Sequence, residues 1–137
     1  MKKLALIGFI VITTSLSAQE KVATTSQFTI EGKIKTQLSF SQSDLSAFTA
    51  HVVDSVVIYN HLMQPRKTIK KIKGVLLKDI LEKAVIDVSS PKLLGEFYFT
   101  CIASDNYKVV FSWNEIFNSA IGDQVMIIIE GDGQKGD

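Results

Sequence analysis

Between Gly74 and Gly131 the chain switches repeatedly between two hydrophobic periods, and no other feature constrains its folding as tightly. The run G-V-L-L-K-D-I-L-E-K-A sets Val75, Leu76, Ile80, Leu81 and Ala84 at helical spacing, with Lys78, Asp79, Glu82 and Lys83 opposite. That predicts an amphipathic helix over Val75–Val85, with an i, i+4 pair between Lys78 and Glu82. Glu96–Ala103 alternates with period two, so it predicts a strand with Phe97, Phe99, Cys101 and Ala103 on one face. Ser104-Asp105-Asn106-Tyr107 predicts a hairpin turn, because Asp and Asn tolerate positive φ, and Lys108–Phe111 returns as the partner strand. Ser112 with Glu115 three places on has the form of a capping box ahead of a short helical turn, W-N-E-I-F. Gln124–Glu130, Q-V-M-I-I-I-E, lacks alternation and predicts a central strand buried on both faces.

The N-terminus has a different character. Met1–Ala18 runs from a basic start through nine apolar residues, Leu4–Ile12, to a small-residue exit. This is the layout of a secretory signal peptide. Nine residues fall well short of the ~20 that span a bilayer. The alternatives are an N-terminal anchor or a buried strand. Cleavage after Ser17 or Ala18 sends the chain to a secreted or periplasmic location and leaves no membrane attachment. Residues 19–26 form a polar leader, and 27–137 make one domain. Without Lys2 and Lys3, 13 basic residues face 14 acidic ones, which argues against bulk affinity for nucleic acid. The remaining ~119 residues suffice for a core without staples. The single cysteine, Cys101, has no partner for an internal disulfide and reads as a small core residue or, alternatively, a reactive thiol.

From its start the domain reads as a strand over Gln27–Lys35, with Gly32 marking a bulge. Ser41 or Ser43 caps a short helix that turns Leu45 and Phe48 inward. Val52–Tyr59 is a β-branched strand, and Asn60–Gln64 followed by Pro65 breaks it. Arg66–Lys73 holds five basic residues in eight. It is either a cationic rim for an anionic group such as phosphate or a solvated edge guarded by lysines. The tail G-D-G-Q-K-G-D has loop chemistry and lacks the acidic spacing of a calcium loop. A strand as apolar as Gln124–Glu130 is expected to have a further pairing strand, which suggests a shortened domain. No P-loop, HExxH or GxSxG occurs. His51 and His61 lack neighbouring ligands at metal spacing. His61, in a loop, is the better site candidate of the two, against a plain exposed histidine.

Taken together, Gly74, Val75, Leu77, Asp79 and Leu81, then Ser104, Asp105 and Tyr107, then the apolar strand reaching Gly133, resemble the molybdopterin-binding domain of the sulfite oxidase superfamily. The resemblance spans Phe28–Gly133 and is closest from Gly74 onward. It implies an α+β fold of mixed β-sheets with short helices and a β-grasp-like portion. It also implies an oxidoreductase with a molybdopterin cofactor. In the catalytic members a Cys thiolate from the strand before the G-V helix holds the metal. Here Tyr59, Asn60 and His61 stand in that place, and the cofactor loops are short.

Soft thiolate ligation is what that chemistry uses. The sequence therefore points to a non-catalytic binding module for a small anionic ligand or a protein partner, with Asn60, His61, Arg66 and Lys67 as cofactor- or ligand-binding candidates. No catalytic or metal residue is assigned. The alternatives are a molybdopterin-dependent oxidoreductase with non-Cys contacts, in which Arg66–Lys73 holds the cofactor phosphate, or an interaction domain without a ligand.

Overall fold

The computed structural model describes residues 25–132 together with 134 and 135. The expected signal peptide, Met1–Ala18, and most of the leader lie outside the described residues. The fold is α+β. Every described strand pair is antiparallel, so the expected mixed sheets are replaced by antiparallel ladders. Strands β1 (Gln27–Ile30) and β2 (Leu38–Ser41) form one pair. Strands β3 (Ala50–Tyr59), β4 (Pro65–Leu76), β7 (Met126–Gly131) and β8 (Gln134–Lys135) form a sheet in the order β3-β4-β7-β8. Strands β5 (Tyr98–Ile102) and β6 (Lys108–Ser112) form the third unit. Among the described residues no helix is long and apolar enough to cross a membrane.

Three short α-helices and a 3-10 helix, Pro91–Glu96, punctuate the described strands. Helix α1 (Gln42–Leu45) is capped by Ser41, whose side chain takes the Asp44 amide while the Asp44 carboxylate takes the Ser41 amide at 2.7 Å. The same reciprocal box forms at Ser112 and Glu115 ahead of α3 (Trp113–Phe117). These hydrogen bonds favour the ionised carboxylates and hold both acids below their ordinary range, the Ser41 hydroxyl acting most on Asp44 and the Ser112 amide most on Glu115.

Helix α2 (Leu77–Leu81) is much shorter than the helix the periodicity predicts over Val75–Val85. Val75 and Leu76 are held in β4 by their ladder to Ile127 and Met126. At the other end Lys35 donates to the Val85 carbonyl at 2.8 Å, and Ile34 bridges Ile86. Tertiary pairing thus pulls both ends of the segment into extended form. The expected Lys78–Glu82 pair also gives way: Lys78 is ion-paired with Asp123, which raises its pKa. The first strand stops at Ile30 rather than Lys35, because Gly32 turns the chain at φ 105°.

The core lies on both sides of α2. Leu45, Val75 and Ile80 meet Phe28, Phe40 and Phe48 on one side. Leu77, Leu81 and Ile116 meet Phe99, Phe111 and Phe117 on the other. Ile30 and Ile127 border both clusters. Strand β7 is not buried on both faces as its composition suggests, since Ile128 is 53% exposed. The tail is not wholly loop, since Gln134 and Lys135 pair back on Gly131 and Glu130.

Two outcomes test this packing. A Cβ at Gly122 would sit 1.7 Å from the Ile116 carbonyl oxygen, whereas at Gly95 the nearest atom is 3.4 Å away on the flexible Asn114 side chain. Gly122→Ala therefore lowers stability in urea unfolding by more than ~3 kcal/mol, while Gly95→Ala stays within ~1 kcal/mol. The capping carboxylates have depressed folded pKa values, so their contribution is present above the unfolded values of 3.8 and 4.5 and is lost as pH falls through the folded ones. Stability measured from pH 6 downward falls less steeply in Asp44→Asn/Glu115→Gln than in the parent, and equal slopes would remove the boxes from the acid response.

Candidate functional site

The four candidates from the sequence sit together at the far end of the β3–β4 hairpin. Strand β4 pairs with β7 only over Lys73–Leu76, and Asp132 ties it once more at Lys70, accepting from the Lys70 amide at 2.7 Å. Beyond that, among the described residues, the two strands pair only with each other. From Asp54 to Thr68 every residue except Asn60 is exposed.

Asn60 organises the turn. Its side-chain oxygen accepts from the amides of Leu62 and Gln64, and its side-chain nitrogen donates to Gln64. The Asn60 amide group is thereby engaged inside the turn, which leaves His61 as the exposed side chain beside it. Arg66 and Lys67 follow on β4, both exposed, Lys67 opposite Ile58 and Arg66 at the bulge where the register shifts between Ile58 and Tyr59. The hairpin therefore brings the four together as an exposed tip, not as a cavity.

A second surface escaped sequence reasoning. A groove of ≈ 490 Å³ runs between β1 and β5, floored by Leu77, Ile80, Leu81 and Ile127. Consecutive residues of both strands, Phe28–Glu31 and Tyr98–Ile102, line it, so each strand borders the groove along its edge. The ladders decide which backbone groups face outward. Phe97 pairs with Trp113 and Ala103 with Tyr107 through backbone hydrogen bonds of 2.8 and 2.9 Å. Antiparallel ladders alternate bonded and non-bonded pairs, so Tyr98, Thr100 and Ile102 turn their N–H and C=O groups away from β6. The Gln42 amide donates to the Ser26 carbonyl, so by the same alternation Thr29 turns its groups away from β2. Each edge has no strand partner among the described residues.

Cys101 stands in this groove, half-buried, and burial pushes its thiol above the ordinary value. A thiol with a raised pKa is a poor nucleophile and a poor metal ligand. Glu31 is the one carboxylate lining the groove, and no three of His, Cys, Asp and Glu gather anywhere among the described residues to hold a metal. The donor set does not fit molybdenum: Tyr59 and His61 are exposed on the hairpin, Asn60 is engaged in its turn, and the thiol lies on β5. Gly131, Gly133 and Gly136 also have the spacing G-x-G-x-x-G. A dinucleotide turn must open a helix, whereas Gln134–Lys135 form β8.

No protein-family model, curated protein or solved structure matches the chain. The likeness to the sulfite oxidase superfamily rests on its motif residues alone.

The state of Cys101 is directly measurable. At pH 8 the folded chain is alkylated by iodoacetamide at least ~10-fold more slowly than a solvent-exposed peptide thiol, and urea abolishes the difference. Equal rates in the folded chain would place the thiol in solvent.

Proposed function

We propose that this chain is a secreted or periplasmic, non-catalytic binding module, built on a sulfite-oxidase-like scaffold with a β-grasp-like portion, that takes an extended segment of a protein partner. The observation that carries this reading is the groove between two open strand edges. An added strand draws affinity from main-chain hydrogen bonds and specificity from alternate side chains. Thr29 on one side and Tyr98, Thr100 and Ile102 on the other offer the main-chain groups, and Ile80 and Ile127 offer the apolar floor. A strand of four residues is about 13 Å long. The groove holds no paired acid and base and no activated nucleophile, and its thiol is protonated at neutral pH.

Selection from a displayed library of random seven-residue peptides tests this. Expected winners alternate β-branched or aromatic residues, lose binding when Pro is placed at their centre, and lose at least ~10-fold against Cys101→Trp, which fills the groove. Winners indifferent to Cys101→Trp would overturn the reading. So would stoichiometric molybdenum and pterin in the chain purified from a cofactor-producing host.

A further inference from the structure

The hairpin tip has a composition that peptide binding in the groove does not use. Leu62 and Met63 are 63% and 75% exposed, with Tyr59 and Ile58 exposed behind them. Met63 adopts φ 56°, a conformation that costs less with Gly or Asn, yet the chain places a large apolar side chain there, in water. Behind the apolar tip stands a collar of positive charge. Between Ala50 and Leu76 the hairpin carries five basic residues, Arg66, Lys67, Lys70, Lys71 and Lys73, against Asp54 as its one acid.

The collar reaches both faces of the strand pair. Lys67 shares one face with Val56 and Ile58, and Lys70 shares the other with Val57. Neither face is wholly apolar or wholly basic, so a partner approaching side-on meets charge among hydrophobic residues. A partner approached end-on meets apolar residues first and a ring of cations behind them.

We infer that the β3–β4 hairpin docks tip-first into an anionic lipid surface, Leu62 and Met63 entering the acyl boundary and Arg66 and Lys67 pairing with lipid phosphates. The dimensions agree. Arg66 and Lys67 lie three and four residues from Met63, at most ~10–13 Å along the chain, and interfacial apolar groups sit ~5–10 Å below the headgroups. Lys70 and Lys71 stand one further step back, where attraction to an anionic leaflet still acts within a Debye length of ~8 Å. This surface is separate from the groove, so the inference does not rest on the peptide-binding reading. It departs from the sequence expectation of a chain that leaves the membrane after cleavage.

The test reads depth at the tip itself, so that any contribution of Leu4–Ile12 does not enter. The full chain carries Met63→Trp in a Trp113→Phe background, leaving one Trp, and meets vesicles of phosphatidylcholine with and without one third phosphatidylglycerol, each also with brominated acyl chains. Trp emission shifts to the blue and is quenched by brominated chains in the anionic vesicles only. Arg66→Glu/Lys67→Glu weakens the response at least ~10-fold, as does raising the salt to 0.5 M. Leu62→Ser in the same background weakens it as well, with an unchanged far-UV spectrum showing that the fold is kept. Emission from the Met63→Trp chain that is neither shifted nor quenched overturns the inference. So does equal quenching in neutral vesicles or in the charge-reversed variant. Self-association lost on Leu62→Ser/Met63→Ser, without vesicle binding, overturns it in favour of a second copy of this chain.

Discussion

The corner at which β4 becomes α2 holds this molecule together. Val75 and Ile80 are fully buried on either side of it, and Leu76, Leu77 and Leu81 are nearly so. Burying such side chains contributes roughly 1.5–3 kcal/mol each. The two sides of α2 face different clusters, Ile80 the one built on the phenylalanines of β1, β2 and the segment after α1, Leu77 and Leu81 the one built on those of β5, β6 and α3. Gly74 lets the corner form. A Cβ there would come within 2.7 Å of the Ile127 carbonyl, so only glycine lets β4 lie this close to β7.

The same corner explains what is left unpaired. It gathers three small ladders around a helix instead of merging them into one sheet. Strands β1 and β5 are drawn to the same floor, each with its outer edge facing the space between them. Exposed edges invite pairing with another chain. Here the edges border a groove with an apolar floor, which gives an added strand both hydrogen-bond partners and a surface to cover. The β3–β4 hairpin outruns β7 and, among the described residues, has no strand partner past Asp132, with its turn braced by Asn60. The body and the hairpin tip therefore present chemically different surfaces, one apolar and edge-lined, the other apolar at its end and cationic behind it.

Much of this was legible locally. The capping box at Ser112 and Glu115, a serine cap at Ser41 or Ser43, the turn at Asp105 and Asn106, and the strands on either side of it follow from interactions within a few residues. Asn106 adopts φ 66° and the Asp105 carboxylate accepts from the Tyr107 amide, as the turn chemistry requires. The candidates Asn60, His61, Arg66 and Lys67 were also found together, because they adjoin in sequence around one turn. What failed was the extent of elements whose ends are decided elsewhere: the helix after Gly74, the first strand, and the burial of β7. Periodicity gives the same apolar positions whether Val75 faces a helical neighbour or pairs with Ile127.

The groove had no local signal at all. Thr29 and Thr100 lie far apart in sequence, and nothing in either strand announces that its outer edge will stay open beside the other. The sequence by itself determined the caps, the turns, the positive charge of one hairpin and the lack of a thiolate beside His61, since each depends on residue type and near neighbours. Only the tertiary structure decided which strand edges stay open among the described residues, that Cys101 looks into the space between two of them, and that the charged hairpin extends past β7. Those outcomes depend on which ladders the buried corner brings together and which it keeps apart.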